Sequence, residues 1–225
     1  MKILRLEDVK YKYNNSNKYL LNDVNIEFEN GKIYTIIGKR GAGKSTLLAI
    51  IVGLDSCTEG KVFYKDQDLK NIDKDIYIAN NVGIIFSQHN LLEGSRAVDN
   101  IILAISVSNR KDKNKRKIAY ETLEEVGINN IKANTSISKL SDEEKYRVSI
   151  ARAMVNNPDI IILDEPVINL HEESQNDISK MLLRKSKEEG KTIIIMSSTY
   201  KFSLHADEIW GLVGGKLMFV KSSID

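Results

Sequence analysis

Gly38-Lys39-Arg40-Gly41-Ala42-Gly43-Lys44-Ser45-Thr46 is the stretch that decides how this chain is read. It fits G-x-x-x-x-G-K-[ST], a loop whose backbone cradles phosphate groups. Ile33-Tyr34-Thr35-Ile36-Ile37 ahead of it is apolar and β-branched, the pattern of a buried parallel strand. Leu47-Leu48-Ala49-Ile50-Ile51-Val52 behind it reads as the first turns of a helix, with Gly53 as its stop. A loop between a strand end and a helix N-terminus aims backbone N–H groups and the positive end of the helix dipole at an anion. Its glycines let the backbone approach that anion closely. In this arrangement Lys44 is expected to reach the β- and γ-phosphates of a nucleotide, and the Ser45 hydroxyl to ligate Mg²⁺.

Working outward, 225 residues hold one large α/β domain or two small ones. Charged residues make up 28% and hydrophobic residues 42%, an ordinary balance for a chain that folds in water. The net charge of +2 gives no global pull toward nucleic acid, and none is expected as a partner. A single cysteine, Cys57, excludes an internal disulfide and fits a reducing compartment. Met1 to Asp8 carries acids where a signal peptide has its apolar core, and no apolar run approaches the ~20 residues of a membrane span. The expectation is a cytoplasmic chain that meets a membrane through a partner.

Ile3, Leu4, Leu6 and Val9 against Arg5, Glu7 and Asp8 read as a half-solvated antiparallel strand. Val24-Asn25-Ile26-Glu27-Phe28 alternates strictly, and Asn30-Gly31 predicts a hairpin turn into the strand before the loop. Gly60 to Tyr64 is a further short strand, with a turn expected at Asp66-Gln67-Asp68. Val82-Gly83-Ile84-Ile85-Phe86 is a core strand that ends in the polar run Ser87-Gln88-His89-Asn90, at the strand end where open α/β sheets bind ligands. From Val98 to about Gly127 the spacing is helical, interrupted by the basic run Arg110 to Lys117, read as a solvated face, with a contact to anionic lipid head groups as the alternative. Another helix opens at Leu140 and ends at Asn157-Pro158, and a further one covers 172 to 189 up to Gly190. Gly214-Gly215 marks a closing hairpin. The fold class is α/β: a P-loop NTPase core with an antiparallel β-subdomain and an inserted α-helical subdomain at about 89–157, in one domain of residues 1–225.

Ile160-Ile161-Ile162-Leu163-Asp164-Glu165 is the second signal. Four apolar residues that deliver an acid to a strand end form the Walker B arrangement. Asp164 is expected to hold Mg²⁺, directly or through water, and Glu165 to orient or deprotonate an attacking water.

With these motifs in this order the chain resembles the ATP-binding-cassette ATPases over essentially its whole length. Gly53-Leu54-Asp55, Asn90-Leu91-Leu92 and Asn169-Leu170 look most like the branch that serves lipoprotein release, macrolide or antimicrobial-peptide export and cell division. The resemblance implies ATP and Mg²⁺ as ligands, with Gly38 to Thr46 around the phosphates. It implies Tyr13, with Tyr11 as a rival, as the aromatic that stacks on adenine. It implies Gln88 as a residue that touches Mg²⁺ and senses a transmembrane partner. It also implies a separate permease chain, a place at the inner face of the cell membrane, and closure of two such domains head to tail over two ATPs. Each site would then join the P-loop and Walker B of one chain to the signature of the other, homodimer or heterodimer.

Three departures stand out. Where the family has LSGGQ, this chain has Leu140-Ser141-Asp142-Glu143-Glu144. Ser141 would still face a nucleotide, but Asp142 and Glu143 set carboxylates near a phosphate, a repulsion of about 3 kcal/mol each at roughly 5 Å and an effective dielectric near 20. The same residues form a capping box, S-x-x-E, with acids in the first helical turn. His171 aligns with the family's D-loop aspartate and Ser198 with its switch histidine; His205 falls seven residues late and reads as a surface residue. The resemblance implies Ser198, with Lys44 and Glu165, as a catalytic position, although a hydroxyl hydrogen-bonds without carrying positive charge. Slow hydrolysis by the isolated chain is the expectation.

Overall fold

The computed structural model of the chain describes residues 1–14, 16–108, 111, 114–166, 172–200 and 205–222. The strand β1 (Lys2–Tyr11) pairs antiparallel with β2 (Leu21–Glu29), and β3 (Ile33–Ile37) runs into the loop before α1 (Lys44–Ile51). Next come β4 (Glu59–Tyr64), β5 (Gln67–Asp68), α2 (Lys74–Asn81) and β6 (Val82–Phe86). Then α3 (Ala97–Val107), α4 (Lys115–Glu125), α5 (Asn130–Ala133) and α6 (Asp142–Met154) precede β7 (Ile160–Asp164). After α7 (Glu172–Lys187) and β8 (Thr192–Ser197), the strands β9 (Glu208–Val213) and β10 (Lys216–Ser222) form the hairpin over Gly214-Gly215.

Two sheets result. One is antiparallel, in the order β2-β1-β4-β5; the other runs β10-β9-β3-β8-β7-β6, parallel from β9 to β6 with β10 antiparallel at its edge. The period of two along the parallel strands separates two apolar layers. Ile33, Ile37, Ile161, Leu163, Ile193 and Ile195 face the layer that holds α3, α4, α6 and α7. Tyr34, Ile36, Ile160, Ile162, Ile194 and Met196 face α1 and the antiparallel sheet. Burial on both faces explains why these strands read as continuous apolar runs.

The hairpin predicted at Asn30-Gly31 does not form, because β2 and β3 lie in different sheets. The strand β3 is paired on one side by β8 and on the other by β9, so it has no free edge to offer β2. The turn instead carries the chain from one sheet to the other. Gly31 takes φ 75°, and its N–H donates to the carbonyl of Gly190 at 3.2 Å. The expected turn at Asp66-Gln67-Asp68 is also displaced. It sits at Lys65-Asp66, both with positive φ, and Gln67–Asp68 pair back on β4.

The helices α3 to α6 enter between β6 and β7, which are neighbours in the sheet. The helix α6 presses directly on β6, where a Cβ added at Gly83 would meet the Ala153 carbonyl oxygen at 2.2 Å. Among the described residues, no helix is long and apolar enough to cross a membrane.

Candidate nucleotide site

The carboxyl ends of β3, β7 and β8 converge on one cavity of about 680 Å³. Its floor is the loop between β3 and α1. Gly43 precedes the helix with φ 103°, a conformation that an L side chain adopts only under strain, and its Cβ would also meet Leu21 Cδ2 at 3.0 Å. No side chain caps α1 and no acid stands in its first turn, so its leading N–H groups are left for an anion. Arg40, Gly41, Gly43, Lys44, Ser45 and Thr46 line the cavity; the Gly38 N–H is bonded to the Ser197 carbonyl at 3.1 Å, and Lys39 is exposed beside it. Gly38 and Ala42 form the back of the loop, since a Cβ on Gly38 would sit 3.1 Å from the Cβ of Ala42.

Lys44 is 6% exposed, and its ammonium folds back into the loop. It donates to the carbonyls of Gly38 at 2.6 Å and Lys39 at 3.3 Å, and it pairs with Glu165 Oε1 at 3.0 Å. Glu165 stands one residue past β7 with φ 47° and also lines the cavity. Its other oxygen, Oε2, accepts from the Ser198 N–H at 3.0 Å and from the Ser198 hydroxyl at 3.1 Å. Ser198 is exposed on the same wall.

Asp164, the last residue of β7, is half-buried behind this pair. Its Oδ1 is buried with no hydrogen-bond partner. Burial, and then the neighbouring Glu165 carboxylate, push the Asp164 carboxyl above the usual range against the opposing pull of Lys44. A buried acceptor without a donor is a site a cation would satisfy. Ser45 adds a hydroxyl on the cavity side. Among the described residues, no three His, Cys, Asp or Glu side chains cluster to hold a metal by themselves. One carboxylate and one hydroxyl, completed by phosphate oxygens and water, is the sparse donor set that suits Mg²⁺.

Tyr13 forms the outer wall, 56% exposed, with its hydroxyl 3.4 Å from Thr46 Oγ1. Tyr11 lies behind it. The two rings meet edge to face at 5.3 Å, and the Tyr11 hydroxyl donates to Asp55 at 2.8 Å, which, with burial, pushes its pKa up to about 12. The open ring face therefore belongs to Tyr13.

Gln88 is exposed beside the cavity, while Ser87 lines it. The loop that carries Gln88 is held from α6: the Arg152 guanidinium donates to the carbonyls of His89, at 2.9 Å, and Asn90. Ser141 is not on this cavity. It caps α6 instead, its hydroxyl accepting from the Glu144 N–H at 3.2 Å while Glu144 accepts from the Ser141 N–H at 2.8 Å. Asp142 is exposed, and Glu143 is tied to Arg147 at 3.1 Å. Asn169, Leu170 and His171 lie outside the described residues. Ser87 lines the cavity from the polar run expected at the end of β6, whereas sequence reasoning missed Leu20, which carries no local signal.

A family model described as ABC transporter matches residues 21–168. The chain is 35% identical over 197 residues to the uncharacterized ABC transporter ATP-binding protein YclH of Bacillus subtilis (strain 168), which covers 88% of this chain and 87% of that protein. It is 32% identical over 227 residues to the lipoprotein-releasing system ATP-binding protein LolD of Francisella tularensis, covering 98% of each. Among solved structures it is similar to the dimeric, post-hydrolysis ATP-binding cassette MJ0796 bound to ADP and Pi, with a TM-score of 0.86, 29% identity and coverage of 98% and 100%. By its motifs, its site and these likenesses, the chain belongs to the ABC transporter family as an ATP-binding cassette.

Proposed function

We propose that the chain is the ATP-binding subunit of a membrane transporter, with residues 1–225 as one ATPase domain that binds Mg-ATP and works against a separate permease at the inner face of the membrane. The observation that carries the reading is the pairing of Lys44 with Glu165 in one cavity over an uncapped helix start, with Asp164 half-buried next to Glu165 in sequence. In this reading the N–H groups of the loop from Gly38 to Thr46 and the Lys44 ammonium hold the phosphates, and Tyr13 offers its ring to adenine. Ser45, Gln88 and Asp164 would hold Mg²⁺, and the ion would supply charge neutralisation to the phosphates. Glu165 is the group that takes a proton from water. An apolar groove of about 450 Å³ runs beside the Gln88 loop, with Leu92, Leu103 and Val107 exposed in it; we place the permease contact there.

Calorimetry with Mg-ATP tests the site. Binding by the wild-type chain and its loss in Lys44→Ala is the expected result, and equal affinity of the two overturns the P-loop assignment.

The start of α6 favours a second reading, a nucleotide-responsive regulatory subunit with little turnover. Asp142, Glu143 and Glu144 fill its first turn, and the capping box is complete. Steady-state ATPase with and without the permease separates the two.

A further inference from the structure

The residue that holds Glu165 in place sits on the next strand. β7 and β8 are parallel with Asp164 opposite Met196, and the Glu165 N–H donates to the Met196 carbonyl at 2.8 Å. This register brings Glu165, one residue past β7, beside Ser198, one residue past β8. Ser197 steadies the turn, its hydroxyl accepting from the Thr199 N–H at 3.1 Å.

The two oxygens of Glu165 have partners of different kinds. Oε1 is paired with the Lys44 ammonium, and Oε2 takes both donors of Ser198. Nucleotide phosphates compete most strongly for Lys44, the one cation in that set, while the Ser198 N–H and hydroxyl both donate to Oε2. When Lys44 turns to the phosphates, Oε1 is released as an acceptor while Oε2 stays clamped.

We propose that Ser198 is the positioning residue of Glu165, holding Oε2 so that Oε1 faces the attacking water once Lys44 has been drawn away. The inference rests on the reading of Glu165 as the base. In the step served, the water oxygen bonds to the γ-phosphorus and the bond from that phosphorus to the bridging oxygen breaks. The electron pair leaves with ADP, and the water proton passes to Oε1. Ser198 acts here through Glu165 and touches no reacting atom. This gives the serine a task of its own at a position where the family resemblance implies an imidazole. A hydroxyl donor suits it, because a donor to one oxygen fixes the carboxylate without adding charge beside the phosphates.

The test is single-turnover hydrolysis of Mg-ATP by the full chain, protein in excess so that slow turnover is still read, together with nucleotide affinity by calorimetry. Ser198→Ala removes the hydroxyl and keeps the N–H bond. Its rate constant is expected to fall by about 10- to 150-fold, the worth of one hydrogen bond to a charged group, while affinity changes by less than about twofold. Ser198→Thr keeps the hydroxyl and is expected to restore the rate to within about threefold of wild type; a merely steric role for Ser198 would not give this rescue. An unchanged rate in Ser198→Ala, or equal losses in Ser198→Ala and Ser198→Thr, overturns the proposal. Glu165→Gln is measured alongside. If it keeps the wild-type rate, the base reading itself fails; if it is inactive while Ser198→Ala is unaffected, the base reading stands and the positioning role fails.

Discussion

Glu165→Gln should tighten nucleotide binding before any hydrolysis is considered. In the structure Lys44 is already paired, so phosphates must displace the Glu165 carboxylate to reach the ammonium. At 3.0 Å the gross attraction is about 5–6 kcal/mol with an effective dielectric near 20. Most of that is offset. Lys44 is 6% exposed and is costly to desolvate, and Glu165 is 38% exposed, so water screens the pair. A net worth of about 1–2 kcal/mol remains, which corresponds to roughly 5- to 30-fold in affinity. Glutamine is nearly isosteric, and its carbonyl can still accept from Ser198, so the wall of the cavity should hold its shape. The assay is calorimetry with a non-hydrolysable ATP analogue, at protein concentrations where light scattering shows monomer. The gain should vanish when Glu165→Gln is combined with Lys44→Ala, because it operates through Lys44. An unchanged or weaker affinity in the single variant, or an equal gain in the Lys44→Ala background, would refute the reasoning.

Two further outcomes follow from the geometry. In a Glu165→Gln background, ATP-dependent dimer formation by this chain alone should be weak and should rise when Asp142→Gly and Glu143→Gly are added; a strong dimer without them, seen by light scattering, removes the case for a partner with a different signature. Gly83→Ala should lower stability by about 2–3 kcal/mol, or about 4–12 °C in Tm, because the new methyl meets the Ala153 carbonyl oxygen at 2.2 Å and forces α6 away from β6; an unchanged thermal melt would contradict that contact.

What could be read in the sequence was what is local. A β-branched run, a glycine loop and an amphipathic start encode β3, the phosphate loop and α1 within about 20 residues, and the run from Ile160 to Glu165 encodes its strand end in the same way. Long-range pairing was not legible. The Asn30-Gly31 dipeptide has the chemistry of a hairpin, but the neighbours that take both edges of β3 are β8 and β9, more than about 150 residues away. The helix α2 was also missed. Its signal is the Asp73 cap, whose side chain accepts from the Ile76 N–H, and Tyr77, fully buried against the antiparallel-sheet layer. Motif spacing placed Lys44, Asp164 and Glu165 on one site, but the Ser198 bond depends on the register of β7 against β8, which no local pattern carries.

The two helix starts that matter here use the same physics in opposite senses. Backbone N–H groups at a helix N-terminus favour negative charge, whether it comes from a ligand or from the chain itself. α1 begins at a glycine, without a cap and without an acid, so its field is left for phosphate. α6 begins with a serine cap, a returning Glu144 and acids at three successive positions, so its own side chains satisfy that field. Lys132 adds an ion pair to Glu144 at 3.0 Å and Arg147 one to Glu143, which fixes two of the three carboxylates where they are. The Asp142 side chain remains exposed at the tip. In a head-to-tail pair, the α6 end of this chain would therefore present a carboxylate to the other nucleotide, while its α1 end would accept a signature from the partner unimpeded. One chain thus carries a helix start left open to phosphate and another whose field its own side chains occupy. That difference between the two helix starts is why the Asp142 and Glu143 variants bear on which dimer forms.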